Sequence, residues 1–218
     1  PEKLVFAYQE NQEWRNAATE LTGIHERSKD PKKKRETLYS AAELFEKSGD
    51  LEAAILRYRS YAHNYPEPFS VAMEARFKLS ELYRETQQAS KRRFWLNKMI
   101  AADASAGAER TERSKYLAAF SAMVFADESY MRYKDIKIGL PLKKSLKNKK
   151  VALDKSLKAY QKTIDYGVEE FATKSTFKIG AIYASLSRDL MKSERPKQLD
   201  ALALEQYEIL LEERSEEH

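Results

Sequence analysis

The sequence predicts an all-α chain, an α-solenoid of antiparallel helical hairpins. Three observations predict it. Apolar residues recur at the three- and four-residue steps of helices, one pattern repeats along the chain, and breaking residues fall between the periodic runs. Glycine and proline number only six each among 218 residues, and no proline lies inside a periodic apolar run. Hairpins that share one pattern can each bury an apolar face against the next.

The repeat is clearest in residues 38–66. Apolar residues keep a helical period on both sides of Gly49 and Asp50, so this stretch is predicted to form two helices joined by a tight turn. The small side chains of Ala42 and Ala54 would let the two backbones approach closely. Neither helix can bury its apolar stripe alone, and the hairpin therefore needs neighbours.

The same pattern recurs in the units before and after this hairpin. Tyr8, Phe45 and Tyr83 align at offsets of 37 and 38 residues, which indicates a true period. One position departs from the pattern, because the alignment places Arg92 where the second helix of the unit before has the small residue Ala54. We expect either a splayed helix pair there or a register shifted by one turn.

The whole chain, residues 1–218, is predicted to be a single repeat domain and a fragment of a longer repeat protein. Gly139 with Pro141, and later Gly167, mark the ends of long helices in its latter half. The predicted hairpins occupy approximately residues 1–29, 33–66, 69–104, 108–166 and 168–215.

This pattern resembles the tetratricopeptide repeat. The hairpin has a large, a small and an aromatic residue in its first helix, then a tight turn, then Ala54 and Tyr58, and it closes at Pro66. The resemblance implies a superhelix whose concave groove is formed by the first helix of each hairpin, on the side away from its partner helix. Groove residues would be Glu36, Tyr39, Glu43, Glu46, Glu74, Phe77, Glu81 and Arg84.

Within that groove, Tyr39 and Phe77 are the candidate anchors for a partner, since buried rings carry a large share of interface energy. The alternative is that both rings only pack between neighbouring repeats. A protein or peptide is the expected partner, bound by a protein–protein interaction scaffold.

Residues 126–213 carry a second resemblance. The runs ADESYMRYKDIKIGLPLKKSLKNKKVALDKSLKAYQKTIDYG and SERPKQLDALALEQYEILLEE are similar to tetratricopeptide proteins of the bacterial envelope, of the adventurous gliding-motility type. This resemblance implies a scaffold within a cell-envelope assembly of the periplasm or outer membrane. The compartment itself cannot be read from composition.

No pattern of residues indicates an enzyme. The chain has no cysteine, and its three histidines, His25, His63 and His218, are far apart in the sequence. The glycines are scattered, so no loop resembles a phosphate cradle. We therefore expect no catalytic residue, metal, cofactor or small-molecule substrate. No apolar run is long enough to predict a transmembrane segment.

Charge is concentrated late in the chain. Residues 132–162 hold eleven Lys and Arg against two Asp, a net charge of +9, whereas residues 200–218 have a net charge of −6. The basic patch consists of Lys143, Lys144, Lys147, Lys149 and Lys150.

The basic helix, predicted at residues 141–166, allows several interpretations. It could be a solvated face, bind nucleic acid or an anionic surface electrostatically, or pair with the chain's own acidic segment. An electrostatic binder requires the five lysines to share one exposed face. Nucleic acid is disfavoured because no aromatic residue interleaves the lysines of residues 143–150.

Overall fold

The structure is a computed structural model, and it describes residues 1–193 together with 204, 205 and 209. These residues contain helices and no strand, which confirms the all-α prediction. The helices are α1 (Glu2–Glu10), α2 (Trp14–Arg27), α3 (Pro31–Lys47), α4 (Leu51–Asn64), α5 (Phe69–Glu85), α6 (Ala89–Ser105), α7 (Glu112–Asp135), α8 (Leu142–Ile164) and α9 (Glu169–Met191). They group into two compact units, residues 1–117 and a unit that begins at Ala118.

The first unit consists of three helical hairpins and the start of α7. Each helix from α1 to α5 packs against the next one along the chain. In the second hairpin, Ala42 and Ala54 have no exposed surface, as their small size predicted, and Phe45 and Tyr58 are buried beside them. Burying a side chain as large as Tyr58 stabilises the fold by about 1.5–3 kcal/mol.

The turns of these hairpins share one backbone geometry. A residue with left-handed φ follows the first helix each time, at Gln12 (60°), Gly49 (79°) and Gln87 (57°). The N–H of the residue after it donates to the carbonyl of Tyr8, Phe45 or Tyr83, at 2.8, 3.0 and 2.8 Å. This is the Schellman arrangement of a helix C-terminus. Tyr8, Phe45 and Tyr83 therefore occupy equivalent places, and the period read from the sequence is also present in the backbone.

Arg92 lies in the register that the repeat predicts. Its N–H donates to the carbonyl of Gln88 at 3.0 Å, just as that of Ala54 donates to Asp50 at 3.0 Å. The alternative of a shifted register is therefore wrong. The larger side chain is half-buried, and its guanidinium lies 3.5 Å from Glu81 Oε1 on the facing helix α5.

The second unit contains the rest of α7 with α8 and α9. Tyr160, fully buried on α8, donates its hydroxyl hydrogen to Asp127 Oδ1 on α7 at 2.7 Å. Tyr133, equally buried, donates to the carbonyl of Ile182 on α9 at 3.3 Å. Two tyrosines thus join the three helices by hydrogen bonds as well as by apolar contact.

The long helices end near the residues that predicted their ends. α7 stops before Gly139, and Gly167 has a φ of 67° beyond α8. The second helix of the hairpin predicted at 168–215 lies outside the described residues, apart from 204, 205 and 209. A single repeat domain over the whole chain stays a prediction.

Candidate functional site

The predicted groove residues lie on α3 and α5, and the structure divides them into two groups. Four of them form ion pairs of 3.5 Å or less with other residues of the first unit: Glu46, Glu74, Glu81 and Arg84. Glu36 forms a longer ion pair, 3.9 Å from Lys32 on its own helix. The rest differ in exposure, since Glu36 and Glu43 are exposed while Tyr39 and Phe77 are half-buried. Only part of the predicted site is therefore open to a partner.

Glu46 joins three helices. Its Oε2 accepts a hydrogen bond from the hydroxyl of Tyr58 on α4 at 2.9 Å, and its Oε1 accepts one from Lys78 Nζ on α5 at 2.9 Å. Burial raises the pKa of the Tyr58 hydroxyl, and the neighbouring carboxylate raises it further, so the hydroxyl stays protonated. Both oxygens of Glu46 are thus used within the fold.

Glu74 forms the equivalent link between α5 and α7. Its carboxylate accepts two hydrogen bonds from Arg113, from Nε at 2.6 Å and from Nη2 at 3.0 Å. This bidentate pairing raises the pKa of the Arg113 guanidinium. The guanidinium carbon also lies 5.5 Å from the ring centroid of Phe77, which places a cation over that ring.

Glu81 extends toward its partner helix. It pairs with Arg84 on its own helix at 2.9 Å and with Arg92 on α6 at 3.5 Å. The prediction that Glu81 lies on the side away from the partner helix is therefore wrong. The reason is Arg92, whose long side chain reaches across from the position that Ala54 occupies one repeat earlier.

Tyr39 packs within its own hairpin. Its ring meets Tyr58 and Tyr61 of α4 edge-on, with centroids 5.5 and 5.2 Å apart. Burial raises the pKa of its hydroxyl, and the carboxylates of Glu43 and Glu74 raise it further. The ring therefore contributes to packing, while its protonated hydroxyl is a hydrogen-bond donor surrounded by acidic groups.

Glu43 is the carboxylate on this face with the least compensation. It is exposed and has no ion pair among the residues that the structure describes. Partial burial of its carboxyl group raises the pKa of Glu43, and the charge of Glu46 raises it further, whereas the charge of Lys78 lowers it. Glu36, Tyr39 and Glu43 lie at helical steps of three and four residues on α3. We call these three residues the open acidic patch.

Two residues that complete this face were not among the sequence candidates. Lys78 and Arg113 neutralise Glu46 and Glu74, which precede them by 32 and 39 residues. The only signal available was position, since Lys78 follows the candidate Phe77 directly and Arg113 lies about one repeat after Glu74. Basic residues are common on solvated helix faces, so that signal is weak.

The basic patch on α8 is not a single exposed face. Lys149 is buried, with 1% of its surface exposed, whereas the others are exposed: Lys143, Lys144, Lys147 and Lys150. The electrostatic alternative requires all five lysines on one exposed face, and the burial of Lys149 contradicts that requirement. Lys149 Nζ donates to the carbonyls of Tyr133 at 3.0 Å and Ile136 at 2.8 Å, and it pairs with Asp189 Oδ2 at 2.7 Å.

The contacts of Lys149 explain its burial. The carbonyls of Tyr133 and Ile136 lie at the C-terminal end of α7, where the last carbonyls lack the donors that the helix interior supplies. Asp189 belongs to α9, so one ammonium group joins α7, α8 and α9. It also lies 3.9 Å from the ring centroid of Tyr133. Lys149 is thus a structural residue of the second unit.

The part of the chain that the structure describes contains neither a candidate metal-binding cluster nor a helix that could span a membrane. No group of three or more His, Asp or Glu residues there could hold a metal ion. No helix in those residues has the length and apolar character needed to cross a bilayer.

Comparisons of the chain with protein-family models, with curated proteins and with solved structures found no match. The resemblances to tetratricopeptide proteins therefore stay predictions. The contacts within the chain therefore carry the function proposed below.

Proposed function

We propose that this chain is a protein-interaction scaffold, a tetratricopeptide-like solenoid that presents a groove to a protein or peptide partner and has no catalytic role. The observation that carries the proposal is the repetition of one hairpin geometry at Tyr8, Phe45 and Tyr83. Repeated hairpins align equivalent helices side by side, which is how solenoid proteins build extended binding surfaces.

Ion pairs between the first helices of successive hairpins support this proposal. The pair of Glu46 and Lys78 joins α3 to α5, and the pair of Glu74 and Arg113 joins α5 to α7. Such pairs fix the spacing of neighbouring helices, so the surface between them exists before a partner arrives. A preformed surface binds without the entropic cost of ordering loops.

The open acidic patch is the part of this surface that we propose contacts the partner. Glu36 and Glu43 offer exposed carboxylates, and the half-buried Tyr39, which lies between them in the sequence of α3, offers a hydroxyl hydrogen-bond donor. This combination suits a basic peptide segment, whose cations would pair with the carboxylates and whose backbone carbonyl would accept from Tyr39. The bacterial-envelope setting is part of the proposal and is supported by the resemblance of residues 126–213 alone.

Affinity capture with the full chain as bait tests the scaffold function. We expect a partner that the parent retains and that the double variant Glu36→Lys, Glu43→Lys loses. Both positions are exposed, so the variant should melt like the parent. The matched control is Glu10→Lys, Glu85→Lys, which makes the same charge change at exposed positions at the ends of α1 and α5. Retention of every partner by the patch variant would refute the proposal.

A further inference from the structure

A cleft separates the C-terminal part of α7 from α8 in the second unit. Its volume is about 430 Å³. Its lining combines three apolar residues, three cations and two polar residues: Ile136, Val151 and Ala152, then Arg132, Lys147 and Lys155, and Ser129 and Asn148. Val151 is 47% exposed, which is high for an aliphatic side chain between two helices. The cleft thus combines uncovered apolar surface with positive charge.

The cations around the cleft are poorly compensated. Lys147 and Lys155 have no carboxylate partner within the described part of the chain, and Arg132 lies 4.0 Å from Glu128. Two further acidic groups of the same region, Asp135 and Asp154, are both exposed to water. The cleft therefore keeps a surplus of positive charge that a partner can neutralise.

The spacing of these groups matches a helix. Lys147, Val151 and Lys155 follow one another at steps of four residues, so they form one line along α8. Eight residues of helix rise by about 12 Å. A partner helix with carboxylates seven or eight residues apart, and an apolar residue between them, can pair with both lysines while it covers Val151.

We propose that this cleft binds an acidic amphipathic helix of a partner protein. Charge complementarity supplies the attraction, and the apolar lining residues select a helix with an apolar face. Nucleic acid fits less well, because its phosphates gain nothing from Ile136 and Val151 and no aromatic ring lines the cleft for bases to stack on. This surface lies in the second unit and is independent of the open acidic patch.

Fluorescence anisotropy with the full chain tests the proposal. The probe is a labelled synthetic peptide helix with glutamate at every seventh position, leucine three and four residues after each glutamate, and alanine and glutamine elsewhere. We expect Lys147→Glu with Lys155→Glu to raise its Kd by about tenfold or more. The matched control is Lys150→Glu with Lys137→Glu, which makes the same change of net charge at two exposed positions that do not line the cleft.

A second variant separates an apolar contact from simple charge attraction. Val151→Ser should weaken binding of the amphipathic peptide by about threefold or more, yet leave the binding of polyglutamate unchanged. Equal effects of the cleft and control variants would overturn the proposal, as would tighter binding of a single-stranded oligonucleotide than of the peptide. Self-association of the full chain that the cleft variants abolish would assign the cleft to a second copy and would also overturn it.

Discussion

Replacing Lys149 by methionine provides the sharpest test of how the second unit is held together. Methionine keeps most of the side-chain volume but removes the ammonium group. The carbonyls of Tyr133 and Ile136 then lose a donor, and Asp189 loses its cation. Everything else in the contact between α7, α8 and α9 stays in place, so the loss of stability measures this polar link.

The magnitude follows from the exposure of each group. A buried acceptor left without a hydrogen bond costs about 1–3 kcal/mol. The carbonyl of Tyr133 keeps a hydrogen bond from the N–H of Ile136 at 3.2 Å, so only the partly buried carbonyl of Ile136 loses its donor, at a cost of about 2 kcal/mol. The side chain of Asp189 is 37% exposed, and water can solvate it, so its loss adds about 1 kcal/mol or less. We expect a total of about 2–3 kcal/mol.

Urea unfolding followed by two probes checks this value. Far-ultraviolet circular dichroism reports all helices, whereas tryptophan fluorescence reports the first unit, because both tryptophans, Trp14 and Trp95, lie there. Lys149→Met should add an early transition to the dichroism signal and shift the fluorescence midpoint much less. Lys150→Met, at an exposed neighbouring position, should leave both unchanged. A Lys149→Met protein that unfolds like the Lys150→Met control would refute the reasoning.

Two further predictions concern the first unit. Ala54→Glu places an unpaired charge at a position with no exposed surface. The free energy of unfolding should fall by several kcal/mol, on the order of the cost of burying a charge, and the fluorescence-detected midpoint should move to lower urea. An unchanged midpoint would contradict the assigned helix contact. The fold raises the pKa of Glu43, so above that pKa the ionised carboxylate lowers the free energy of unfolding. The free energy of unfolding rises again as the pH falls through this pKa and the carboxylate is protonated. Glu43→Gln should therefore be at least as stable as the parent at neutral pH, and the difference between their free energies of unfolding should become smaller on acidification. A difference that became larger in acid would contradict the raised pKa of Glu43.

The sequence by itself determined the helices and their repetition. Hydrophobic period and breaking residues are local properties, and local properties dictate where a helix starts and stops. Tyr8, Phe45 and Tyr83 were aligned from their spacing alone, and each accepts the same hydrogen bond at the end of its helix. The small residues Ala42 and Ala54 are buried as predicted, because few other side chains allow two helices to pack so closely.

The tertiary structure decided which polar side chains remain available. Glu46 and Glu43 look alike in the sequence, yet the first is bonded to Tyr58 and Lys78 on other helices while the second is exposed. Lys149 likewise cannot be told from its neighbours in a run of lysines. Its burial depends on the carbonyls of α7 and the carboxylate of α9, which sequence separation conceals. A charged group is buried only where distant elements bring partners to it, and those partners are fixed by the packing of helices rather than by local sequence.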